Sequence, residues 1–327
     1  MNILFLIGNG FDKNLGFPTS YSEFYDYYLS KDPNQDLYDE NVVRLKNEIA
    51  SNKENWADLE LQMGQYLSHV SDEATANVIH KSIKLSLIEY LNMVLKDFSC
   101  SSEQRDKFIQ DLIAPERYLL LEDSNAIVAY KQRESYKTVN VISFNYDDIF
   151  ENIVGFDSSS VKLNNYYTLS SVIHVHGTLK DGLIMGLDSE DQFCNNELLK
   201  SSFLKNKYIK PNYCKITRNG VDKKCISLIN SANIIYMFGL SIGATDKRWW
   251  IYIAERLKAS NAKLVIFWFD KDNNFTSQDV VEQFEEEQRV KRMFLSYSGF
   301  DDSITEQLME RIYIKILTQE NSGFLKI

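Results

Sequence analysis

The chain has 327 residues, enough for one large domain or two smaller ones. Hydrophobic residues make up 44% and charged residues 25%, with only 13 Gly and 4 Pro, which excludes disordered and collagen-like classes. A formal net charge of −10 argues against an overall basic field for holding nucleic acid, and no stretch approaches the ~20 apolar residues of a membrane-spanning helix.

The first predicted element is the apolar run Ile3–Ile7. It leads directly into Gly8-Asn9-Gly10-Phe11-Asp12 and then Gly16-Phe17-Pro18-Thr19-Ser20-Tyr21. A short strand, a glycine pair and a helix start together suit a phosphate cradle at the carboxyl edge of a parallel sheet. The strand fixes position, the glycines let backbone approach a ligand, and the helix start offers N–H donors. No basic segment precedes the apolar run, so a secretory leader is not expected.

Residues 31–132 read as helices. Trp56, Leu59, Met63, Tyr66, Leu67 and Val70 fall on one helical face. Ile83, Leu87, Leu91, Val94, Leu95 and Phe98 repeat the spacing on a second. Asp58 and Glu60 read as solvated acids beside the packed Trp56.

Further strands are predicted at Val139–Phe144, Ser171–His176, Ile234–Phe238 and Lys263–Phe269, with weaker candidates at Leu183–Leu187 and Met293–Tyr297. Most are nearly continuous apolar runs, as expected of parallel strands covered on both faces. The tail Asp302–Leu317 reads as helix, from Ile304, Leu308, Ile312 and Ile316 spaced by four. The fold class expected is therefore α/β: a Rossmann-like parallel sheet flanked by helices, with a large helical insertion after the first βα unit.

Three later segments place polar residues just after strands. Ser143-Phe144-Asn145-Tyr146-Asp147-Asp148 puts Asn145 and Asp147 at a strand's carboxyl end, where α/β sheets bind ligands and where Asn and Asp also cap helices. His174-Val175-His176-Gly177 holds two of the chain's four histidines at i, i+2, the spacing of side chains on one strand face. A strand-end histidine suits a general base, while a metal pair or a hydrogen-bonded core histidine fits the same residues. Gly239-Leu240-Ser241, followed by Thr245 and Asp246, repeats the strand–glycine–helix pattern and could also be a plain capped turn.

Lys200 to Lys224 carries eight basic residues, including Lys205, Lys207, Lys210, Lys215 and Arg218, against the single acid Asp222. This reads either as a solvated face or as a basic wall beside an anion. Cys100, Cys194, Cys214 and Cys225 form no C-x-x-C pair, so neither a zinc ribbon nor a dithiol motif is present, and no metal is expected.

Taken in order, the G-N-G-F-D…G-F-P-T-S-Y, F-N-Y-D, H-V-H-G and F-G-L-S…D segments resemble the bacterial AbiH family of phage abortive infection proteins, within the sirtuin-like NAD-binding superfamily. The resemblance spans residues 3 to about 250. It implies a discontinuous NAD-binding domain over 1–30 and 133–327 and a helical insertion over 31–132. It implies that Gly8, Asn9 and Gly10 cradle the NAD pyrophosphate and that Gly16 and Pro18 belong to a loop on the nicotinamide side. Asn145 would bind the nicotinamide ribose and order the attacking water, with Asp147 beside it. His176 would engage a ribose hydroxyl as base, and Gly239, Ser241 and Asp246 would form a later phosphate-binding turn.

Asp12 stands where sirtuins usually carry serine. A carboxylate beside a pyrophosphate repels it unless it caps the helix or faces the ribose. The zinc module of protein deacylases is absent, so lysine deacylation is not implied. The resemblance implies NAD glycohydrolysis in a cytoplasmic antiphage protein. Its implied partners are NAD or a related nucleotide, a phage trigger protein and a second copy of the chain, with neither membrane nor nucleic acid. The alternative is a non-catalytic nucleotide-binding sensor or adaptor.

Overall fold

A computed structural model describes residues 1–31, 39–70, 72–193, 200–217, 220–270, 280–318 and 323–327. Its strands are β1 (Asn2–Ile7), β2 (Lys137–Ser143), β3 (Val161–Lys162), β4 (Tyr167–His174), β5 (Gly177–Thr178), β6 (Gly182–Leu183), β7 (Ile234–Phe238), β8 (Lys263–Phe269) and β9 (Ile312–Leu317). Seven of them form one sheet in the order β3-β4-β2-β1-β7-β8-β9. Only β3 runs antiparallel to its neighbour. The protein is thus α/β, with a mostly parallel sheet flanked by helices.

The chain divides into two compact units. The first comprises Met1–Leu15, Ser99–Val175 and Lys223–Ile327 and contains the seven-stranded sheet. Its inner strands are apolar because helices cover both faces. Every residue of β7 is buried, as are five of the six in β1. Phe5 stacks on Tyr236 across the β1–β7 pair, with ring centroids 4.9 Å apart. Each such side chain, fully buried, contributes roughly 1.5–3 kcal/mol.

Three expectations for this unit are corrected. β4 ends at His174, two residues early, because Gly177 adopts φ +73° and turns the chain into the β5–β6 hairpin. Met293–Tyr297 is no strand: it closes the helix Val280–Ser296, where Val290 and Phe294 are buried one turn apart. The tail is helical only over Asp302–Met309; Ile312–Leu317 is β9. Ile312, Ile314 and Ile316 alternate as well as fitting a four-residue repeat. Pairing with the open side of β8 decides in favour of strand.

The second unit comprises Gly16–Phe98 and His176–Asp222. It is mainly helical. Ser20 opens the helix Tyr21–Ser30 with a reciprocal capping box to Glu23. Helices Leu59–Leu67 and Glu73–Val94 bury Leu59, Met63, Leu67, Ile83, Leu87 and Leu91, part of the predicted stripes; Tyr66 and Val94 are half-buried, and Val70, Leu95 and Phe98 lie past the helix ends. Tyr25 donates its hydroxyl to the Trp56 carbonyl at 2.8 Å. Asp58 caps the helix Leu59–Leu67 through the Leu61 N–H at 3.0 Å. Glu60 is not solvated: it is 6% exposed and takes a 2.6 Å hydrogen bond from Lys210, which is 1% exposed. The basic stretch therefore is not wholly a surface face, since one of its lysines closes a buried ion pair. Leu183–Leu187 is strand at Leu183, in the β5–β6 hairpin, and its other end, Leu187, forms an isolated parallel bridge with Ile209. Arg218 and Cys194 lie outside the described residues. No helix among the described residues is long and apolar enough to cross a membrane.

Candidate functional site

Parallel pairing sets four strand ends side by side. Ile7 is in register with Ser143 and with Phe238, and Ser143 with His174. The turns after β1, β2, β4 and β7 therefore leave the same edge of the sheet, the edge at which open α/β sheets bind ligands.

Two turns bring polar side chains together there. Asp12 sits in the five-residue helix Gly10–Asn14 that follows β1. Asn145 lies two residues beyond β2 and donates from Nδ2 to Asp12 Oδ1 at 3.0 Å. Asp147 accepts the Ile149 N–H at 3.0 Å, at the start of the helix Ile149–Val154, and its carboxyl hydrogen-bonds that of Asp12. All three are buried: Asp12 is 2% exposed, Asn145 6% and Asp147 8%.

A hydrogen bond between two carboxyl groups needs one proton between them. Burial, then the Asp147 charge and hydrogen bond, hold the Asp12 carboxyl well above the usual range, against the smaller effect of the Asn145 donor. Burial also raises Asp147, opposed by the Ile149 N–H, the Asp12 hydrogen bond and the nearby His174. Both carboxyls are thus held above the usual range, Asp12 more strongly than Asp147. A carboxyl whose pKa is raised repels an anionic ligand less than an ordinary aspartate does, which eases the conflict between Asp12 and such a ligand. Asn145 Oδ1 is also buried and has no hydrogen-bond partner among the described residues. Such an acceptor is costly unless a ligand or water supplies a donor.

Behind Asn145 stands His174. Its Nδ1 lies 2.8 Å from the Asn145 carbonyl and its Nε2 lies 2.6 Å from Glu151 Oε1. Burial pulls its pKa down. The hydrogen bond and charge of Glu151, with the Asn145 carbonyl and Asp147, outweigh that and leave it raised. Sequence reasoning favoured His176 of the pair. The available signal for His174 was Glu151, four residues after Asp147 on a short helix and so able to face back towards the strand ends.

The glycines act differently. The Gly8 N–H bonds the Phe238 carbonyl at 3.0 Å, Gly10 N–H the Gly239 carbonyl at 2.8 Å, and Phe11 N–H the Gly8 carbonyl at 2.8 Å. A Cβ on Gly10 would stand 2.5 Å from Gly239 Cα, and one on Gly239, at φ +70°, 2.4 Å from the Phe11 nitrogen. Glycine is needed here because the turns after β1 and β7 lie directly against each other. Asn9 precedes the short helix without a side-chain cap. Ser241 is exposed beyond β7, and Asp246 precedes the helix Lys247–Ala259 without capping it.

Gly16, Pro18 and His176 belong to the second unit. Gly16 adopts φ +92°, and the Pro18 carbonyl accepts the Tyr90 hydroxyl. His176 is 5% exposed, and its carbonyl accepts the Ile184 N–H at 2.6 Å. His80, also in that unit, lies 3.2 Å through Nε2 from the Met185 carbonyl, and burial pulls its pKa down to about 4. Among the described residues no group of three or more His, Cys, Asp or Glu could hold a metal ion.

A family model described as "Bacteriophage abortive infection AbiH" matches residues 4–268. A comparison with curated proteins finds no match. The matched span is most of the chain, which therefore belongs to the AbiH family, and that membership points to a role in phage abortive infection.

Proposed function

We propose that this AbiH-family protein binds NAD at the carboxyl edge of its sheet and hydrolyses it to nicotinamide and ADP-ribose. Depletion of NAD in an infected cell would then arrest growth before phage are released. The observation that carries the reading is the buried, unpartnered Oδ1 of Asn145 beside the Asp12–Asp147 pair. A ribose hydroxyl or a water molecule supplies the missing donor. The sirtuin-like kinship rests on the order of the four motifs along the chain.

The chemistry follows from these groups. When the bond between nicotinamide and ribose breaks, its electron pair leaves with the ring nitrogen and positive charge develops on the ribose. The single negative charge of the acid pair, held in a site of low polarity, favours that charge more strongly than it would in water. Asn145 holds the incoming water or the ribose by accepting a hydrogen bond. An amide cannot take the proton that the water gives up, so a base is required. His176 is assigned that role from its place before Gly177. Removing a positioned general base lowers a rate by ~10²–10⁴. The resemblance assigns Gly8, Asn9, Gly10, Gly239, Ser241 and Asp246 to the phosphate end, and Gly16 and Pro18 to a loop on the nicotinamide side.

The test is incubation of the full chain with NAD, following nicotinamide and ADP-ribose by chromatography and binding by calorimetry. Turnover that Asn145→Ala abolishes supports hydrolysis. Binding without turnover would establish the nucleotide-binding sensor or adaptor instead. Neither binding nor turnover overturns the reading.

A further inference from the structure

His174, whose side chain is 9% exposed, is a titratable group at this edge that the hydrolysis above does not use. Both of its ring nitrogens face acceptors: Nδ1 the Asn145 carbonyl at 2.8 Å and Nε2 the Glu151 carboxylate at 2.6 Å. A neutral imidazole carries one N–H and could satisfy only one of them. Two such contacts require two N–H donors, which is the imidazolium. The surroundings agree. The second oxygen of Glu151 is buried with no hydrogen-bond partner among the described residues, so its carboxylate depends on the ring for compensation.

We propose that His174, held as an imidazolium between Glu151 and the Asn145 carbonyl, is the positioning residue that fixes Asn145 for the chemistry of this site. Asn145 is thereby tied at both ends. Its main chain is held by His174 and its side chain by Asp12. That leaves Oδ1 aimed with little freedom, and a reacting group displaced by about 1 Å can lose ~10²-fold in rate. His174 acts through Asn145 and forms no bond to substrate. The charged groups facing the ring are Glu151, from the helix Ile149–Val154, and Asp147, from the turn after β2. Asp12, from the helix after β1, bears on Asp147 in turn. All of them lie in the sheet-bearing unit.

The clamp is lost on the alkaline side. With its pKa raised, the ring keeps both protons below the ordinary histidine value and gives one up as pH rises through the raised value. Glu151→Gln removes the largest favourable influence, so the loss should move to lower pH.

The activity arm rests on the NAD reading, whereas two spectroscopic arms need no substrate. Nitrogen NMR of the full chain, with the ring signal assigned by its disappearance in His174→Gln, should show both nitrogens protonated at pH 7. Its midpoint should lie above the ordinary value of about 6.5 and fall in Glu151→Gln. The Asn145 side-chain amide signals should shift with the same midpoint. With NAD, Glu151→Gln should lower kcat about 10²-fold with KM nearly unchanged, and move the alkaline limb of the kcat profile to lower pH. A ring already singly protonated at pH 6, or Asn145 amide signals indifferent to its titration, would overturn the proposal. So would wild-type kcat in Glu151→Gln at every pH. If NAD is not turned over at all, the hydrolysis reading fails and the two spectroscopic arms still decide the clamp. If His174→Gln does not fold, Glu151→Gln carries the test and supplies the assignment by its shift.

Discussion

Buried carboxyl groups are accommodated in two ways, and the strand ends differ from the helical unit. In the helical unit Glu60 meets a cation: Lys210 donates to Oε2 at 2.6 Å and the Gly186 N–H to Oε1 at 3.2 Å. Among the described residues, Asp12 and Asp147 at the strand ends have no such cation, burial raises the pKa of both, and the adjacent amide keeps an oxygen with no partner. The sheet unit also contains the first solution, away from those strand ends, where Lys131 donates to both oxygens of Glu116 at 3.0 and 2.9 Å. A buried charge neutralised by its neighbour has little left to offer a ligand. A buried acid pair with raised pKa values and an idle acceptor does, and perturbed acids of that kind gather at functional sites. On the proposed function, Glu60–Lys210 serves the fold and Asp12–Asn145–Asp147 the chemistry.

The largest expected effect breaks the structural side of the contrast. Lys210→Met strands the Glu60 carboxylate in the core and should lower stability by about 3–5 kcal/mol in urea unfolding. Glu60→Gln combined with Lys210→Met should recover much of that loss, because no charge is left unpaired. A double variant as unstable as the single one would mean that packing, not charge, sets the cost.

A smaller loss is expected on the other side. Asn145→Ala removes the donor to Asp12 and should cost about 1–3 kcal/mol. It also removes the idle acceptor, so any NAD turnover should vanish while the fold persists by circular dichroism. Full turnover in a folded Asn145→Ala would detach this cluster from the chemistry.

The smallest effect sharpens the contrast by its pH dependence. Asp12 binds its proton more tightly folded than unfolded. Its contribution to stability is therefore complete below the unfolded value of about 3.9 and is lost as pH rises through the raised folded value. Asp12→Asn can still accept from Asn145 and donate to Asp147, and it does not titrate. Variant and wild type should be nearly level at pH 4. The variant should then gain on wild type as pH rises, by at most about 1.4 kcal/mol per pH unit for one proton. Thermal unfolding across pH measures this, and a difference independent of pH would contradict a proton kept by Asp12.

Much of the sheet was legible in the sequence because buried parallel strands leave continuous apolar runs. Ile234–Phe238 and Lys263–Phe269 match β7 and β8 at both ends. The misreadings occurred where one pattern serves two structures. The spacing of Ile312 and Ile316 fits a helix, yet Ile312, Ile314 and Ile316 alternate as a strand. The run Met293–Tyr297 is too short to separate strand from helix without the stripe Val290–Phe294 beside it. The placement of Asn145 and Asp147 just past β2 could be read from the strand–polar–helix pattern. Their approach to Asp12 could not, because the bond from Asn145 to Asp12 spans 133 residues and depends on register between β1 and β2. The burial of Glu60 and Lys210 was hidden for the same reason: local spacing carries no sign of a partner 150 residues away.

The claim that Asp12 keeps a proton beside Asp147 is most directly tested by infrared difference spectroscopy of wild type against Asp12→Asn at pH 7. The account predicts a carbonyl stretch of a neutral, buried carboxylic acid in the wild type that is missing from the variant. Two ionised carboxylates in the wild type, with no neutral-acid band lost on substitution, would contradict it.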